Sequence, residues 1–324
     1  MVKNNPQSRE QFTLGIDIGG TKINLVLVDS NGHLLYTHKS LICPSKEPTK
    51  VTENISSIVQ LCFDEIGLNA EAIGVGVAGQ VDRKGVVLYS PNLGWRNFPL
   101  KRILEEKSGL PVMVTNDVRA AAWGEWSHGS GRGINDLVVL FVGTGIGGGV
   151  ISDGRVLCGC GNIGGELGHT TLIVDGKKCR CPNNGCLEAY AGGWAIAERA
   201  QEAIKVDPTG GKRLLDLAGS IENIDSSIVG RAYHEGDRLS KFLVEETGKY
   251  LTAGVVSIVN IFDPCLLILG GGVIEGIPEL VNMVRDGVRN RALGAVLGKL
   301  NIVKSKLGVD AGAIGAAFLA QSST

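Results

Sequence analysis

The segment FTLGIDIGGTKINLVLV, residues 12–28, decides the fold. An apolar run from Phe12 to Asp17 breaks at Gly19-Gly20, and a second run, Lys22 to Val28, resumes at once. A turn at Asp29-Ser30-Asn31-Gly32 then leads into Leu34 to Ile42. Short apolar strands separated by tight turn residues read as an antiparallel meander. The same device returns in the second half. Asp136 to Val142 is a strong strand that enters Gly143-Thr144-Gly145-Ile146-Gly147-Gly148-Gly149, and Val150-Ile151 resume it. Two strand–glycine-turn–strand units, one near the start of each half, imply a duplicated α/β domain with a cleft between the copies. Ligands of open α/β sheets bind at strand carboxyl ends, where these turns lie.

The intervening segments fit that plan. Pro48 to Ile66 has helical spacing of its apolar residues, and Ala72 to Ala78 is a β-rich run ending at Gly79. Pro99 to Lys107 reads as a helix, and Val112 to Thr115 as a buried strand. Val118 to Trp126 begins another helix, with Asn116 or Asp117 as its cap. Helical patterns fill Gly193 to Asn260. Leu266 to Leu269 is a strand ending in Gly270-Gly271-Gly272, Asn301 to Lys304 a last short strand, and Ala311 to Ala320 a helix of small residues.

At 324 residues the chain is long enough for two domains, and 44% hydrophobic residues suffice to build their cores. A formal net charge of -1 argues against a nucleic-acid partner, which would call for a basic excess or stripe. The 47 glycines cluster in short runs beside apolar segments, as loops do that bring bare backbone against a ligand. The start, Met1 to Gln11, is polar and lacks an apolar leader, and the most apolar stretch, Leu251 to Ile274, is interrupted by Asn260, Asp263 and Pro264. No membrane span is expected, and a cytoplasmic protein is. Cys43, Cys62 and Cys265 sit in apolar surroundings and are expected as small buried side chains, while Cys158 and Cys160 lie in a glycine-rich loop.

Several of these positions carry chemistry. In Asp17-Ile18-Gly19-Gly20-Thr21-Lys22 the glycines let backbone N–H groups point at phosphate oxygens, and Asp17 could hold Mg²⁺ through water. The same residues would also make a plain hairpin. The segment is neither a Walker P-loop nor a dinucleotide fingerprint, because a strand follows it. Gly143, Thr144 and Gly145 could cradle further phosphates, and a nucleotide could lie against Gly271 and Gly272 at the end of their strand. Asp117, after a buried strand, could take a proton from an attacking hydroxyl; it could equally serve as a helix cap. Asn92, in Ser90-Pro91-Asn92-Leu93-Gly94-Trp95, is a candidate polyol contact or a simple Pro-Asn turn.

The most specific signal is a crowd of thiols. Cys179, Cys181 and Cys186 fall within eight residues, and His169 precedes them. One histidine and three cysteines make a closed tetrahedral zinc set, which is structural because it leaves no position for water. Spacing alone does not choose His169 over His33, His38, His128 or His234. Such a zinc would fix the loop between Glu166 and Glu188, whose carboxylates could then accept hydrogen bonds from a polyol. A zinc-bound histidine keeps its second ring nitrogen for a partner.

Taken together, Asp17 to Lys22, Asn116-Asp117, Gly143 to Gly149, Gly164-Gly165-Glu166-Leu167-Gly168-His169 and Cys179 to Glu188 resemble the ROK family of repressors, open reading frames and kinases. The likeness runs from about Phe12 to Ala320. It implies an actin-like (ribonuclease H-like) ATPase fold of two α/β domains, closing an interdomain cleft around ATP and a hexose. On this pattern the smaller domain is 1–118 plus 308–324, closed by the last helix, and the larger is 119–307 with the zinc loop. The resemblance implies that Asp117 is the catalytic base and that Asn116 helps hold the sugar. Glu166, His169 and Glu188 would contact sugar hydroxyls with Asn92 and Gly79 nearby, and His169 would be the fourth zinc ligand. It also implies a homodimer or tetramer.

The leading expectation is ATP-dependent phosphorylation of a hexose, glucose at O6 first, with N-acetylmannosamine, fructose or mannose as alternatives and polyphosphate as an alternative donor. A sugar sensor without catalysis is the competing class. Against it, the roughly ten residues before Phe12 leave no room for a helix-turn-helix. A zinc-only structural module does not account for the length or the glycine loops.

Overall fold

Seven residues of strand, a three-residue turn and eight more of strand open the fold: β1 (Phe12–Ile18) pairs antiparallel with β2 (Lys22–Asp29), and β2 with β3 (Leu34–Leu41). The structure is a computed structural model that describes residues 11–322. Apart from Gln11, the polar start lies outside the described residues. Two compact units are formed. The first comprises the chain through His128, Gly159–Ile163 and the chain from Asp310; the second comprises Gly129–Cys158 and Gly164–Val309.

In the first unit, α1 (Pro48–Ile66) follows β3, with Pro48 in its first turn and Gly67 left-handed at its end, both standard helix punctuation. Then come β4 (Ala72–Val77), three short strands β5 (Gln80–Val81), β6 (Val87–Ser90) and β7 (Trp95–Phe98), α2 (Leu100–Ser108), β8 (Val112–Asn116) and α3 (Asp117–Ser127). The main sheet runs β3-β2-β1-β4-β8, with β1, β4 and β8 parallel. The strands β5 to β7 form a separate small sheet. Leu14, Ile16, Ile18, Ile23, Leu25 and Leu27 are fully buried, as continuous apolar runs in a covered sheet require.

A helix of small residues, Ala311–Gln321, lies directly on this sheet. A Cβ built on Gly15 would stand 1.9 Å from the Ala313 carbonyl oxygen, and one on Gly74 only 1.8 Å from that of Ala316. Glycine at those two strand positions is therefore what lets helix backbone touch sheet backbone.

The second unit repeats the plan. Its sheet uses β9 (Leu137–Val142), β10 (Ile146–Ser152), β11 (Arg155–Val156), β12 (Leu266–Gly270) and β13 (Asn301–Lys304), in the order β11-β10-β9-β12-β13. Again the first three are antiparallel, and β12 is parallel to β9 and β13. Helices α4 (Glu188–Ala191), α5 (Gly193–Val206), α6 (Lys212–Ala218), α7 (Ser226–His234) and α8 (Arg238–Phe262) separate β10–β11 from β12. After β12 follow α9 (Gly272–Gly276), α10 (Glu279–Arg289) and α11 (Gly294–Leu297). Asp225 and Asp237 cap α7 and α8 through their carboxylates. The 25-residue α8 stops where Asp263 turns left-handed before Pro264.

Two expectations for the thiols are corrected. Cys62 is buried, but Cys43 is only partly buried and Cys265 is exposed. Cys265 sits just before β12, where its backbone N–H already bonds the Asp136 carbonyl and its side chain turns outward. Among the described residues no helix is long and apolar enough to cross a membrane.

Candidate active site

In the first unit the parallel register brings two carboxylates to one end of the sheet. Asp17, near the end of β1, is paired with Gly76 of β4, and Gly76 with Thr115 of β8, two residues before Asp117. A Cβ on Gly76 would lie 3.2 Å from the Asp117 Cα and 3.8 Å from Asp17 Oδ1, so the bare glycine is what leaves room between the two acids. From the other side Gly312 closes on Asp17, where a Cβ would stand 2.9 Å from its Oδ2.

Asp17 Oδ1 is buried with no hydrogen-bond partner. Burial, then the nearby charges of Asp117 and Asp310, push its carboxyl up to about 7. Asp310 is itself held by the Asn24 Nδ2–H and by Lys39 Nζ, each at 2.9 Å. An orphaned buried carboxylate oxygen beside a second carboxylate fits a hydrated Mg²⁺, which would supply the missing partner and favour the ionised form.

The cap question is decided by Asn116. Its Oδ1 accepts the Arg119 N–H at 3.0 Å, so Asn116 is the N-cap of α3. Its Nδ2 donates to the Gly79 carbonyl at 3.1 Å. Asp117 thus occupies the first helical position, its Oδ1 accepting the Val118 N–H at 2.9 Å. Gly79 is pressed against β6, since a Cβ there would meet the Tyr89 carbonyl oxygen at 2.6 Å.

The Gly19-Gly20-Thr21 turn is closed by the Gly19 N–H donating to the Lys22 carbonyl at 3.0 Å. Thr21 and Lys22 are exposed. Asn92 stands over this turn, its Cβ 3.1 Å from where a Cβ of Gly20 would be. Its carbonyl accepts Lys46 Nζ at 2.7 Å, and the buried Trp95 donates from Nε1 to the Lys46 carbonyl at 2.8 Å. Asn92 is therefore fixed against the glycine turn.

In the second unit the Gly143–Gly145 turn is gripped from several sides. The Gly143 N–H donates to the Gly145 carbonyl at 2.9 Å, and Glu188 Oε2 accepts the Ile146 N–H at 2.8 Å. Gly271 is left-handed, with no room for a Cβ against the Val142 backbone, whereas Gly272 opens on free space. Between them lies a pocket of about 360 Å³ lined by Gly143, Thr144, Ser226, Arg231, His234 and Gly272, among others. The residues of α7 in this wall were not found from sequence. They belong to an ordinary amphipathic helix, and only the Asp225-Ser226-Ser227 cap hints that its amino end matters.

The thiol cluster also lies wholly in this unit. His169, Cys179, Cys181 and Cys186 offer ligand atoms all within 4.8 Å of one another. His169 Nδ1 is 3.7 Å from Cys179 Sγ, and the Cys181 and Cys186 sulfurs are 3.6 Å apart. A tetrahedral zinc with zinc–sulfur bonds of about 2.3 Å would space its sulfurs by about 3.8 Å, so the donor set and its geometry fit that ion. Burial pushes the Cys179 thiol up to about 12 and raises Cys186 as well, an effect that ligation of a cation would offset. His169 ends a 3₁₀ turn, Leu167–His169, preceded by the exposed Glu166. Gly168 seats that turn on β10, since a Cβ would collide with the Ile146 carbonyl oxygen at 2.1 Å.

Glu188, expected to be held rigidly, is fixed through both of its carboxylate oxygens. It is buried, Oε1 accepting the Trp194 Nε1–H at 3.2 Å while Oε2 holds Ile146. A sugar hydroxyl could reach only its remaining lone pairs.

The model of the ROK family matches residues 13–323.

The chain belongs to the ROK family.

Its ROK relatives include a glucokinase of Streptomyces coelicolor, 34% identical, the alignment covering 96% of this chain and 98% of that one. An N-acetylmannosamine kinase of Salmonella typhi is also 34% identical, over 96% and 99% of the two chains. Among solved structures, a ROK family glucokinase from Streptomyces griseus, in complex with glucose and AMPPNP, superposes with a TM-score of 0.87 at 35% identity, covering 96% of this chain and 99% of that one. The ROK fold, two α/β units of the actin-like kind, is the one the family resemblance implied, and the duplication is the one expected from the glycine turns.

Proposed function

We propose that this ROK protein is an ATP-dependent hexose kinase that phosphorylates glucose at O6. The observation that carries the reading is the division of labour at the start of α3. Asn116 caps the helix and Asp117 opens it, one glycine away from the buried, unpartnered oxygen of Asp17. That pairing suits a proton acceptor beside a cation site. The likeness to glucokinases, one of them in complex with glucose and AMPPNP, supports both substrates.

On this reading Asp117 orients the glucose O6 hydroxyl and takes its proton as the oxygen attacks the γ-phosphorus. The bond to the β–γ bridging oxygen breaks and ADP leaves. Asn116, tied to Gly79, holds the sugar, with Asn92 beside it. Glu166, the second ring nitrogen of His169 and Glu188 accept or donate to its other hydroxyls. The bare backbone of Gly19 and Gly20, with Thr21 and Lys22, and the turn at Gly143, Thr144 and Gly145 receive the phosphates. Gly271 and Gly272 give the nucleotide a flat wall beside the α7 pocket. Asp17 would hold Mg²⁺ through water, and the bound cation would neutralise charge on the phosphates. His169, Cys179, Cys181 and Cys186 would hold a structural Zn²⁺.

A reducing cytoplasm suits eight cysteines, all of them free thiols. A homodimer is proposed on the family resemblance alone. The main competitor is N-acetylmannosamine, because an N-acetylmannosamine kinase shares the same 34% identity as the glucokinase. A coupled assay with ATP, Mg²⁺ and glucose, N-acetylmannosamine, mannose and fructose in turn tests the reading. Selective turnover of glucose is expected. Preference for another sugar would overturn the substrate, and no turnover with ATP or polyphosphate would overturn the kinase.

A further inference from the structure

One side chain ties the thiol loop to the phosphate turn, and neither role assigned above uses it. Trp194, the second residue of α5, donates its Nε1–H to Glu188 Oε1 at 3.2 Å. The other oxygen of that carboxylate accepts the Ile146 N–H at 2.8 Å. The main chain repeats the grip: the Trp194 N–H donates to the Thr144 carbonyl at 3.0 Å and the Gly193 N–H to the Gly143 carbonyl at 2.9 Å. The Arg180 guanidinium, between two of the cysteines, lies 4.7 Å from the centre of the indole ring. Trp194 also packs in one apolar cluster with Cys179, Cys186, Ala189 and Tyr190.

The arrangement leaves the carboxylate little freedom. A Cβ on Gly145 would stand 2.4 Å from Glu188 Oε2, and one on Gly192 would lie 3.1 Å from Glu188 Cγ. A buried carboxylate that accepts two N–H groups, one on each oxygen, makes strong and directional bonds. With Ile146 fixed from behind and Gly143 and Thr144 fixed from α5, the directions left to the turn's outer face are set in advance. Such preorganisation is what a site for phosphate oxygens needs.

We propose that Trp194 is a positioning residue: acting through Glu188, it holds the Gly143–Ile146 turn in the form that receives nucleotide phosphates, and anchors that turn to the Cys179–Cys186 loop. This rests on the kinase reading for the identity of the ligand. A tryptophan that merely filled the apolar cluster would use its ring and not its N–H.

Trp194→Phe separates the two. It keeps an aromatic ring under Arg180 and deletes the donor. Losing a hydrogen bond to a charged acceptor should raise KM for ATP about tenfold or more, and KM for glucose by clearly less, since Glu188 is also a proposed sugar contact. Zinc content should stay near that of the parent protein, and the melting temperature should fall by a few degrees as a buried acceptor loses its donor. An unchanged KM for ATP, or a rise confined to glucose, would overturn the proposal. Should Trp194→Phe fail to fold, Gly145→Ala reaches the same link from the other side, pushing Oε2 off Ile146. The same selective loss is expected of it, and an unaltered KM for ATP would again refute the link. If the parent protein phosphorylates no sugar, the kinase reading fails separately. Calorimetric titration of AMPPNP into parent and Trp194→Phe proteins then decides the inference: weaker binding to the variant upholds it, and equal or absent binding ends it.

Discussion

Asp17 titrates near 3.8 in an unfolded chain but near 7 where burial and the charges of Asp117 and Asp310 surround it. The folded protein therefore holds this proton more tightly. The stability that follows is fully present below pH about 4 and is lost as pH rises through about 7, at most on the order of 4 kcal/mol. In metal-free, nucleotide-free protein, Asp17→Asn should remove that part of the pH dependence. Urea midpoints at pH 5 and pH 8 should converge in the variant relative to the parent, and equal slopes in both would show that Asp17 is not so perturbed. In the proposed role of Asp17, binding of MgATP needs its ionised carboxylate, so KM for MgATP should fall as pH rises through about 7. At this scale the sequence was half legible. The residues Asp17, Asn116 and Asp117 stand out, but one chain of letters allows either acid or amide to cap α3. Only the Asn116 bond to Arg119 assigns the cap. Glu188 was legible as a carboxylate and not as one whose oxygens are both committed, because its partners lie 42 residues back and 6 ahead.

The helix Ala311–Gln321 shows how glycine spacing in distant segments becomes packing. Gly15, Gly74 and Gly315 read as unremarkable small residues, yet each marks a place where two backbones touch. A Cβ on Gly315 would meet the Ala120 carbonyl oxygen at 1.7 Å, so Gly315→Ala must push this helix away from α3. Overpacking of this kind costs about 1–3 kcal/mol, and because Gly312 in the same helix abuts Asp17, KM for MgATP should rise with it. A urea titration and a nucleotide KM on one variant check both effects. Strong periodic elements such as β1, β2, α1 and β9 were legible from apolar runs and turn residues. The strands β5 to β7 were not, since two to four residues leave too short a pattern for a period to show. The pocket wall on α7 was hidden for a different reason: Arg231 and His234 look like ordinary exposed positions of an amphipathic helix until Gly272 is seen opposite them.

For the molecule as a whole, duplication was the legible feature, because each sheet repeats one strand order around its own glycine turn. The thiol cluster was legible from composition, and the choice of His169 became a matter of geometry. Cys181→Ser should abolish the binding of one zinc per chain, as metal analysis would read, and lower the melting temperature. Retained zinc would mean that the four residues are not its ligand set. Sizing by light scattering should give the mass of a homodimer; a monomer at micromolar concentration would contradict that assembly. The proposed role of Asp117 is to orient a glucose hydroxyl for attack on ATP. It is tested most directly by incubating glucose, ATP and Mg²⁺ with the parent protein and with Asp117→Asn, and following the products by phosphorus NMR. Glucose 6-phosphate and ADP are expected from the parent, and a turnover lowered by about 10²–10⁴-fold in the variant with its zinc content unchanged. A variant that kept most of the parent's rate, or a parent that left glucose untouched, would contradict it.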